Sequence, residues 1–272
     1  MVQFIFGVKN NTSLSPNTTI THLNKQITAI GNPFIELIEV SSTNNYAIDT
    51  IQANLAVHGT TYFAQSQTAG RGQRGKKWMT EPCNNIILSS IIDTSSLFLQ
   101  QQFAFSVAIT LGCADFFANY AGEETSIKWP NDIYWRDRKA AGLLIENTIR
   151  GHQWLWSVVG IGININQTTF DPSLKNPVSL KQITGKTFNP VMLAKELCTF
   201  LDARFHEMLE GKHKHHLETY NDRLFRKHQK VRLKKGNINY DCTIKGVDEF
   251  GELLVAGIHQ DSFVFGEVEW IL

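Results

Sequence analysis

Hydrophobic and polar positions along the 272-residue chain alternate between short apolar runs and stretches with helical spacing. Phe34–Val40 reads as a strand. Ser41-Ser42-Thr43 then reads as a helix start, with Asn44 to Leu55 behind it. Thr60–Gln67 and Asn85–Ile92 read as strands on either side of a Gly/Arg-rich loop at 70–77. Phe103–Tyr120 is apolar at helical period and predicts a long buried helix. Ser126–Trp129 is a short strand ending at Pro130. Asp132–Trp135 and Lys139–Glu146 form a hairpin-like pair across Arg136-Asp137-Arg138. Trp154–Ile165 is a strongly apolar strand, followed by a loop with Pro172 and Pro177, a helix over Pro190–Gly211, and a helical continuation over 212–223.

After about Asp222 the texture changes. Val231–Leu233, Tyr240–Val247, Glu252–Ala256 and Ser262–Val268 are short strands joined by tight turns such as Lys235-Gly236-Asn237 and Phe250-Gly251, which predicts a small β-barrel. The first 33 residues, rich in Asn and Thr, close on the boundary signal Gly31-Asn32-Pro33 and form an extension of unassigned role. The division expected is therefore 1–33, 34–221 and 222–272.

Composition narrows the function classes. At 42% hydrophobic and 19% charged residues the chain is globular, and a net charge of +1 gives no bulk reason to expect nucleic acid or membrane as partner. Four widely spaced cysteines without a CxxC pair argue against a zinc ribbon or a thioredoxin motif. Cys113 and Cys198 read as buried thiols in a reducing compartment. No basic leader followed by a long apolar stretch opens the chain, so a cytoplasmic protein is expected.

Candidate chemistry concentrates in three places. The loop Gly70-Arg71-Gly72-Gln73-Arg74-Gly75-Lys76-Lys77-Trp78 joins backbone freedom to four cations, which suits an anionic group. Arginine's planar fork fits phosphate in particular, and Trp78 can close over an apolar group. The loop matches neither the dinucleotide fingerprint nor a Walker A loop, and a flexible basic surface loop is the plain alternative. The second place is Ile127-Lys128-Trp129-Pro130-Asn131-Asp132 with Asp137-Arg138-Lys139-Ala140-Ala141-Gly142. Pro130 ends a strand and gathers Lys128, Asn131 and Asp132 near one strand end, where Lys128 can neutralise phosphoryl charge. Small residues leave room beside Lys139. The alternative is a solvated turn with a weak ion pair. The third is Gly160-Ile161-Gly162-Ile163-Asn164-Ile165-Asn166, in which two glycines in an apolar strand signal close approach to the backbone or a bulge. Asn164 and Asn166, two apart, are expected to point the same way along the strand.

In this order the segments resemble the biotin protein ligase family. The matching residues are Ser42-Thr43-Asn44, Gln67-Thr68-Ala69-Gly70-Arg71-Gly72 with Trp78, Lys128-Trp129-Pro130-Asn131-Asp132, Asp137 to Gly142 with Leu144 and Glu146, and Gly160 to Asn164. The resemblance runs from about Phe34 to the C-terminus. It implies an α+β fold, with a mixed sheet and packed helices like the class II aminoacyl-tRNA synthetase catalytic domain, plus a C-terminal SH3-like barrel. It also implies a two-step reaction. Biotin and MgATP give biotinyl-5′-AMP and pyrophosphate, and a lysine of a biotin carboxyl carrier domain then takes the biotin. Ser42, Thr43, Asn44, Gln67, Arg71, Gly72, Gln73, Lys139 and Gly142 are the implied biotin residues. Arg71, Arg74, Trp78, Lys128, Asn131, Asp132 and Asn164 are the implied nucleotide residues, with Arg71, Lys128 and Lys139 catalytic. Mg2+ comes with the nucleotide, with Asn131, Asp132 and Asn164 as candidate nucleotide or magnesium contacts, and no separate protein metal site is assigned.

Two departures stand out. Many family members carry arginine where this chain has Gln73, so the charge that helps retain the adenylate is replaced by a neutral donor. Some members carry an N-terminal DNA-binding domain, but residues 1–33 show no helical periodicity, so no DNA partner is expected. Family members occur as monomers and as homodimers.

Lipoate ligases and octanoyl transferases share the fold. The lipoate branch carries an Arg-Arg-x-Ser-Gly-Gly-Gly type loop, where this chain has Gly-Arg-Gly-Gln-Arg-Gly. An octanoyl transferase needs a cysteine nucleophile, and none of the four cysteines sits in a fitting motif. A reading of another class makes 222–272 a non-catalytic binding module, with Lys227, Lys230, Arg232, Lys234 and Lys235 as a basic stripe. Without base-stacking aromatics at regular spacing, that run reads as a solvated face. The histidines His206, His213, His215 and His216 lack Cys, Asp or Glu at ligand spacing and read as a solvated helix face too.

Overall fold

A computed structural model describes residues 28–271. Most of the N-terminal extension expected at 1–33 lies outside these residues. The first strand, β1 (Phe34–Val40), pairs in parallel with β2 (Thr61–Gln67), and α1 (Thr43–Gln52) supplies the crossover a parallel pair requires. The remaining pairings of the large sheet are antiparallel: β3 (Ile86–Asp93), β4 (Thr125–Lys128), β5 (Asp132–Trp135), β6 (Arg138–Arg150) and β7 (Gln153–Ile163). The order across this mixed sheet is β1-β2-β3-β7-β6-β5-β4.

Alternation of side chains splits the sheet into two unlike faces. One face carries Leu88, Ile161, Leu143 and Ile133 into the main core, beneath α2 (Gln102–Ala121) and α4 (Pro190–Leu209). Nearly every turn of α2 is buried. It is long and apolar enough to cross a membrane by composition, yet 61% of that window is buried inside the protein, as in a core helix. The other face is covered only in part. There α1 sets Ala47 against Tyr62, Ile91 and Val158 in a small second cluster. The rest of that face stays open.

A short helix α3 (Leu180–Thr184), missed by periodicity, is capped by Ser179, whose Oγ accepts from the Gln182 N–H at 3.2 Å. Helix α5 (His213–Asp222) leads to a second, antiparallel sheet ordered β11-β10-β9-β8-β12. Its strands are β8 (Lys230–Lys235), β9 (Ile238–Val247), β10 (Leu253–Ala256), β11 (Ser262–Phe263) and β12 (Glu269–Ile271). Of the strand expected over Ser262–Val268 only Ser262–Phe263 forms, and the next strand starts beyond it at Glu269. Gly266, at φ +85°, and a Glu267 N–H bond to the Val264 carbonyl turn the chain between them.

Two surface expectations separate at this level. In β8 the basic residues Arg232 and Lys234 point outward while Val231 and Leu233 are buried, and Arg232 pairs with Asp241 at 2.7 Å. The histidines do not form one solvated face. His213 and His215 are exposed, but His216 is fully buried and its Nε2 lies 2.9 Å from Glu207 Oε2. Helical spacing puts 216 on the inner face, against α4. Among the described residues no group of three His, Cys, Asp or Glu side chains is arranged to hold a metal.

Candidate functional site

Register places the candidate residues in rows across the open face. Ile87 of β3 stands opposite Gly162 of β7, which stands opposite Gly142 of β6. Gly142 stands opposite Asp132 of β5, and Asp132 opposite Lys128 of β4. Directly opposed residues of antiparallel strands share a face. The row therefore runs from an apolar side chain, over two bare glycines, to a carboxylate and an ammonium. A parallel row joins Ser89, Gly160 and Leu144.

The glycines are needed because other side chains fill the space above them. A Cβ on Gly162 would stand 2.2 Å from Cε2 of Trp78, and one on Gly160 1.9 Å from Oδ1 of Asn44. The two-glycine signal thus marks close approach and not a bulge, since β7 keeps regular register there. Trp78 is brought over the floor by the glycine–arginine loop. Its backbone N–H donates to the Gly70 carbonyl at 3.0 Å, and the Gly72 N–H donates to Lys76 at 2.7 Å, so residues 70–78 close on themselves. Arg74 and Gly75 both take positive φ at the tip. The loop and Trp78 bound a cleft of about 630 Å3, whose far side includes Leu144 and Glu146.

The N-terminus of α1 forms another wall. Thr43 and Asn44 are buried and tied into a polar cluster. The Thr43 N–H donates to Gln67 Oε1 at 2.8 Å, and Ser89 Oγ lies 2.7 Å from Thr43 Oγ1 and 2.6 Å from Asn44 Oδ1. Asn44 Nδ2 donates to Glu146 at 2.8 Å. Ser42 is the N-cap residue. Ser89 was not legible in the sequence, where it is one serine in an apolar strand. Only the register with Gly160 brings it under Asn44.

The cations are arranged unequally. The Arg71 guanidinium makes a forked pair with Glu146, at 2.6 and 3.0 Å, and reaches Asn45 at 2.7 Å. Lys139 Nζ donates to Asp132 at 2.6 Å and lies 5.9 Å from the centre of the Trp78 ring. Lys128 Nζ lies 3.3 Å from the Tyr134 hydroxyl. Burial pushes Lys128 down to about 8. Asp132 opposes this, and Lys139, Lys76 and Lys175 add to it. Burial, then Asp132, push the Tyr134 phenol upward, so it stays protonated. The three neighbouring lysines that add to the depression make this end of the face locally positive, which favours an anionic ligand. Asn131 Nδ2 donates to the Leu143 carbonyl at 2.9 Å, and Gln73 Nε2 donates to the same carbonyl at 3.3 Å.

Asn164 sits apart. It and Asn166 lie past the end of β7 rather than along it, and their side chains take different partners. Asn164 Nδ2 donates to the Val178 carbonyl at 3.1 Å, and Asn166 brackets the backbone of Phe188. Each side chain clamps a later loop. Arg74 reaches the Gly266 carbonyl of the small sheet, linking the loop tip to that sheet.

The two carboxylates beside the floor, Asp132 and Glu146, are each engaged by a cation. The donor set therefore suits a Mg2+ that arrives with a polyphosphate, held by phosphate, water and at most one or two carboxylates.

Comparison with known proteins adds three findings. Residues 36–164 match the Biotin/lipoate A/B protein ligase family. Among curated relatives, the bifunctional ligase/repressor BirA of Bacillus spizizenii is 30% identical over 62% of this chain and 53% of its own length. The bifunctional ligase/repressor BirA of Escherichia coli is 33% identical over 50% of this chain and 42% of its own. The biotin–[acetyl-CoA-carboxylase] ligase of Paracoccus denitrificans is 31% identical over 47% and 55%. The chain thus spans about half the length of the curated relatives it matches. In fold it is similar to the biotin protein ligase from Aquifex aeolicus in complex with biotin and ATP, with a TM-score of 0.74 at 23% identity over 87% of this chain and 97% of that one.

Proposed function

We propose that the protein is a biotin protein ligase, a reading supported by the match of residues 36–164 to the Biotin/lipoate A/B protein ligase family. It joins biotin to ATP as biotinyl-5′-AMP and passes the biotinyl group to a lysine of a biotin carboxyl carrier domain. Residues 34–221 act as the catalytic unit and 222–272 as its companion. The observation that carries this reading is the cleft lined by Gln67, Arg71, Trp78 and Glu146, beside a floor of Gly142 and Gly162 that Trp78 covers, with Lys139 at its edge. With the Trp78 indole lifted from it, that floor is a flat apolar slot ending in a cation, which fits a ring with an aliphatic carboxylate chain.

In this mechanism Ser42, Thr43, Asn44 and Gln67 meet the polar end of biotin, and Gly72, Gln73 and Gly142 give it room. Lys139 exchanges Asp132 for the biotin carboxylate. That carboxylate attacks the α-phosphorus of MgATP, the bond to the bridging oxygen breaks, and pyrophosphate leaves. Arg71, Lys128 and Arg74 face the phosphates, while Asn131 and Asp132 orient that end of the cleft. The carrier amine then attacks the acyl carbon, a proton is lost, and AMP departs. The protein supplies position and charge and forms no covalent intermediate. Asn164 serves the site through the loop it clamps, at Val178.

The test is to incubate the protein with MgATP, radiolabelled biotin and a biotin carboxyl carrier domain. Label on the carrier lysine supports the reading. Transfer of labelled lipoate in place of biotin sends the protein to the lipoate branch.

A further inference from the structure

Lys128 ends the functional row, and what surrounds it comes from both sheets. Its ammonium lies 5.0 Å from the centre of the Tyr134 ring and 5.6 Å from that of Trp270. Tyr134 is on β5 of the large sheet, whereas Trp270 is on β12, the last strand of the small one. Phe225, in the segment joining the two sheets, packs 5.0 Å from Tyr134 and 5.8 Å from Trp270. The three rings form one aromatic wall at the junction.

Trp270 acts in this wall as a ring and not as a donor, because its Nε1 is buried with no hydrogen-bond partner among the described residues. An orphaned indole N–H costs stability, so the packing of the ring must hold it in place. The face of an aromatic ring attracts an ammonium and also excludes water from it. A lysine between two such faces loses the freedom of its four-carbon stem.

We infer that Trp270 is a positioning residue for Lys128, fixing the ammonium where the nucleotide phosphates arrive and tying the small sheet to the phosphate end of the cleft. This rests on the proposed reading of Lys128 as a phosphate contact. The charged and titratable groups that face Lys128 are Tyr134, Asp132 and Lys139 from the large sheet, Lys76 from the glycine loop and Lys175 from the loop before α3. No charged group from the small sheet is among them. Its contribution at this point is the Trp270 ring, whose removal lets water reach the amine without changing nearby charge.

The experiment compares the wild type with Trp270→Leu and Trp270→Phe. Pulsed acetylation across a pH series, read by peptide mass spectrometry, follows the protonation of Lys128 without any nucleotide. ATP and biotin affinities are measured on the same samples. In Trp270→Leu the Lys128 midpoint moves up from about 8 toward the ordinary lysine value, the water gained outweighing the ring attraction lost. Below that midpoint, where the amine is charged in both proteins, ATP affinity falls roughly tenfold because the ammonium is no longer held in place. Biotin affinity is retained. Trp270→Phe keeps both the midpoint and the ATP affinity, since a ring suffices. An unmoved Lys128 midpoint in Trp270→Leu overturns the inference, as does equal loss of ATP affinity in both variants. If wild-type Lys128 titrates as described yet the protein binds no ATP, the phosphate reading fails, and the acetylation series still decides whether Trp270 holds Lys128.

Discussion

Trp78 lies across Gly162 so closely that a methyl group there would stand 2.2 Å from the indole. The loop that carries the cations is thereby pinned to the sheet that carries the floor. Gly162→Ala forces the indole away and loosens the slot, at a cost of about 1–3 kcal/mol. Calorimetric melting and biotin titration check this. Adding Trp78→Ala should restore much of the stability and none of the affinity, because the clash and the slot share the same ring.

Lys139 donates to Asp132 at 2.6 Å and is partly open to solvent. Lys139→Ala should leave the fold intact and slow adenylate formation on the order of 100-fold or more, the usual cost of one lost charge-stabilising donor. A single-turnover assay with labelled ATP reads this step directly. Near-normal rates would remove Lys139 from the chemistry.

Ser89 is fully buried beneath Thr43 and Asn44. Ser89→Ala leaves both without that hydroxyl and should cost about 1–3 kcal/mol. The loss is expected in biotin affinity as well as in stability, since the N-terminus of α1 is held by this contact. Thermal melting and biotin calorimetry separate the two. An unchanged biotin affinity would limit Ser89 to the fold.

Lys128 is depressed to about 8, first by burial. A bound anion raises that value, so the complex holds the proton to higher pH than the free protein does. ATP affinity should therefore be steady below the free-protein midpoint and decline as pH rises through it. Binding above the midpoint should take up protons. Calorimetry in buffers of different ionisation heat measures the uptake, and affinity that is flat across this range would contradict the assignment.

How much of this was legible in the sequence differs by element. β1 has the bounds the pattern gives, and the long helix agrees within a residue at each end, because local periodicity decides both. The glycine pair and the loop that overlies it could each be read as sites, but not as touching. Gly162 and Trp78 are 84 positions apart, and only the register of β6 and β7 with the folded loop joins them. Ser89 and Trp270 escaped for the same reason, since each depends on a partner far along the chain, whereas the burial of His216 follows from which face of its own helix packs on the preceding one. The expected common direction of Asn164 and Asn166 fails because the strand ends at Ile163, one residue before the first of them, so period-two reasoning no longer applies.

The most direct measurement of the central claim is exchange of labelled pyrophosphate into ATP, with no carrier protein present. A biotin protein ligase gives exchange that depends on biotin, is lost in Lys139→Ala, and is not supported by lipoate or octanoate. Exchange driven by lipoate and not by biotin, or no exchange with any of the three acids, would contradict that claim.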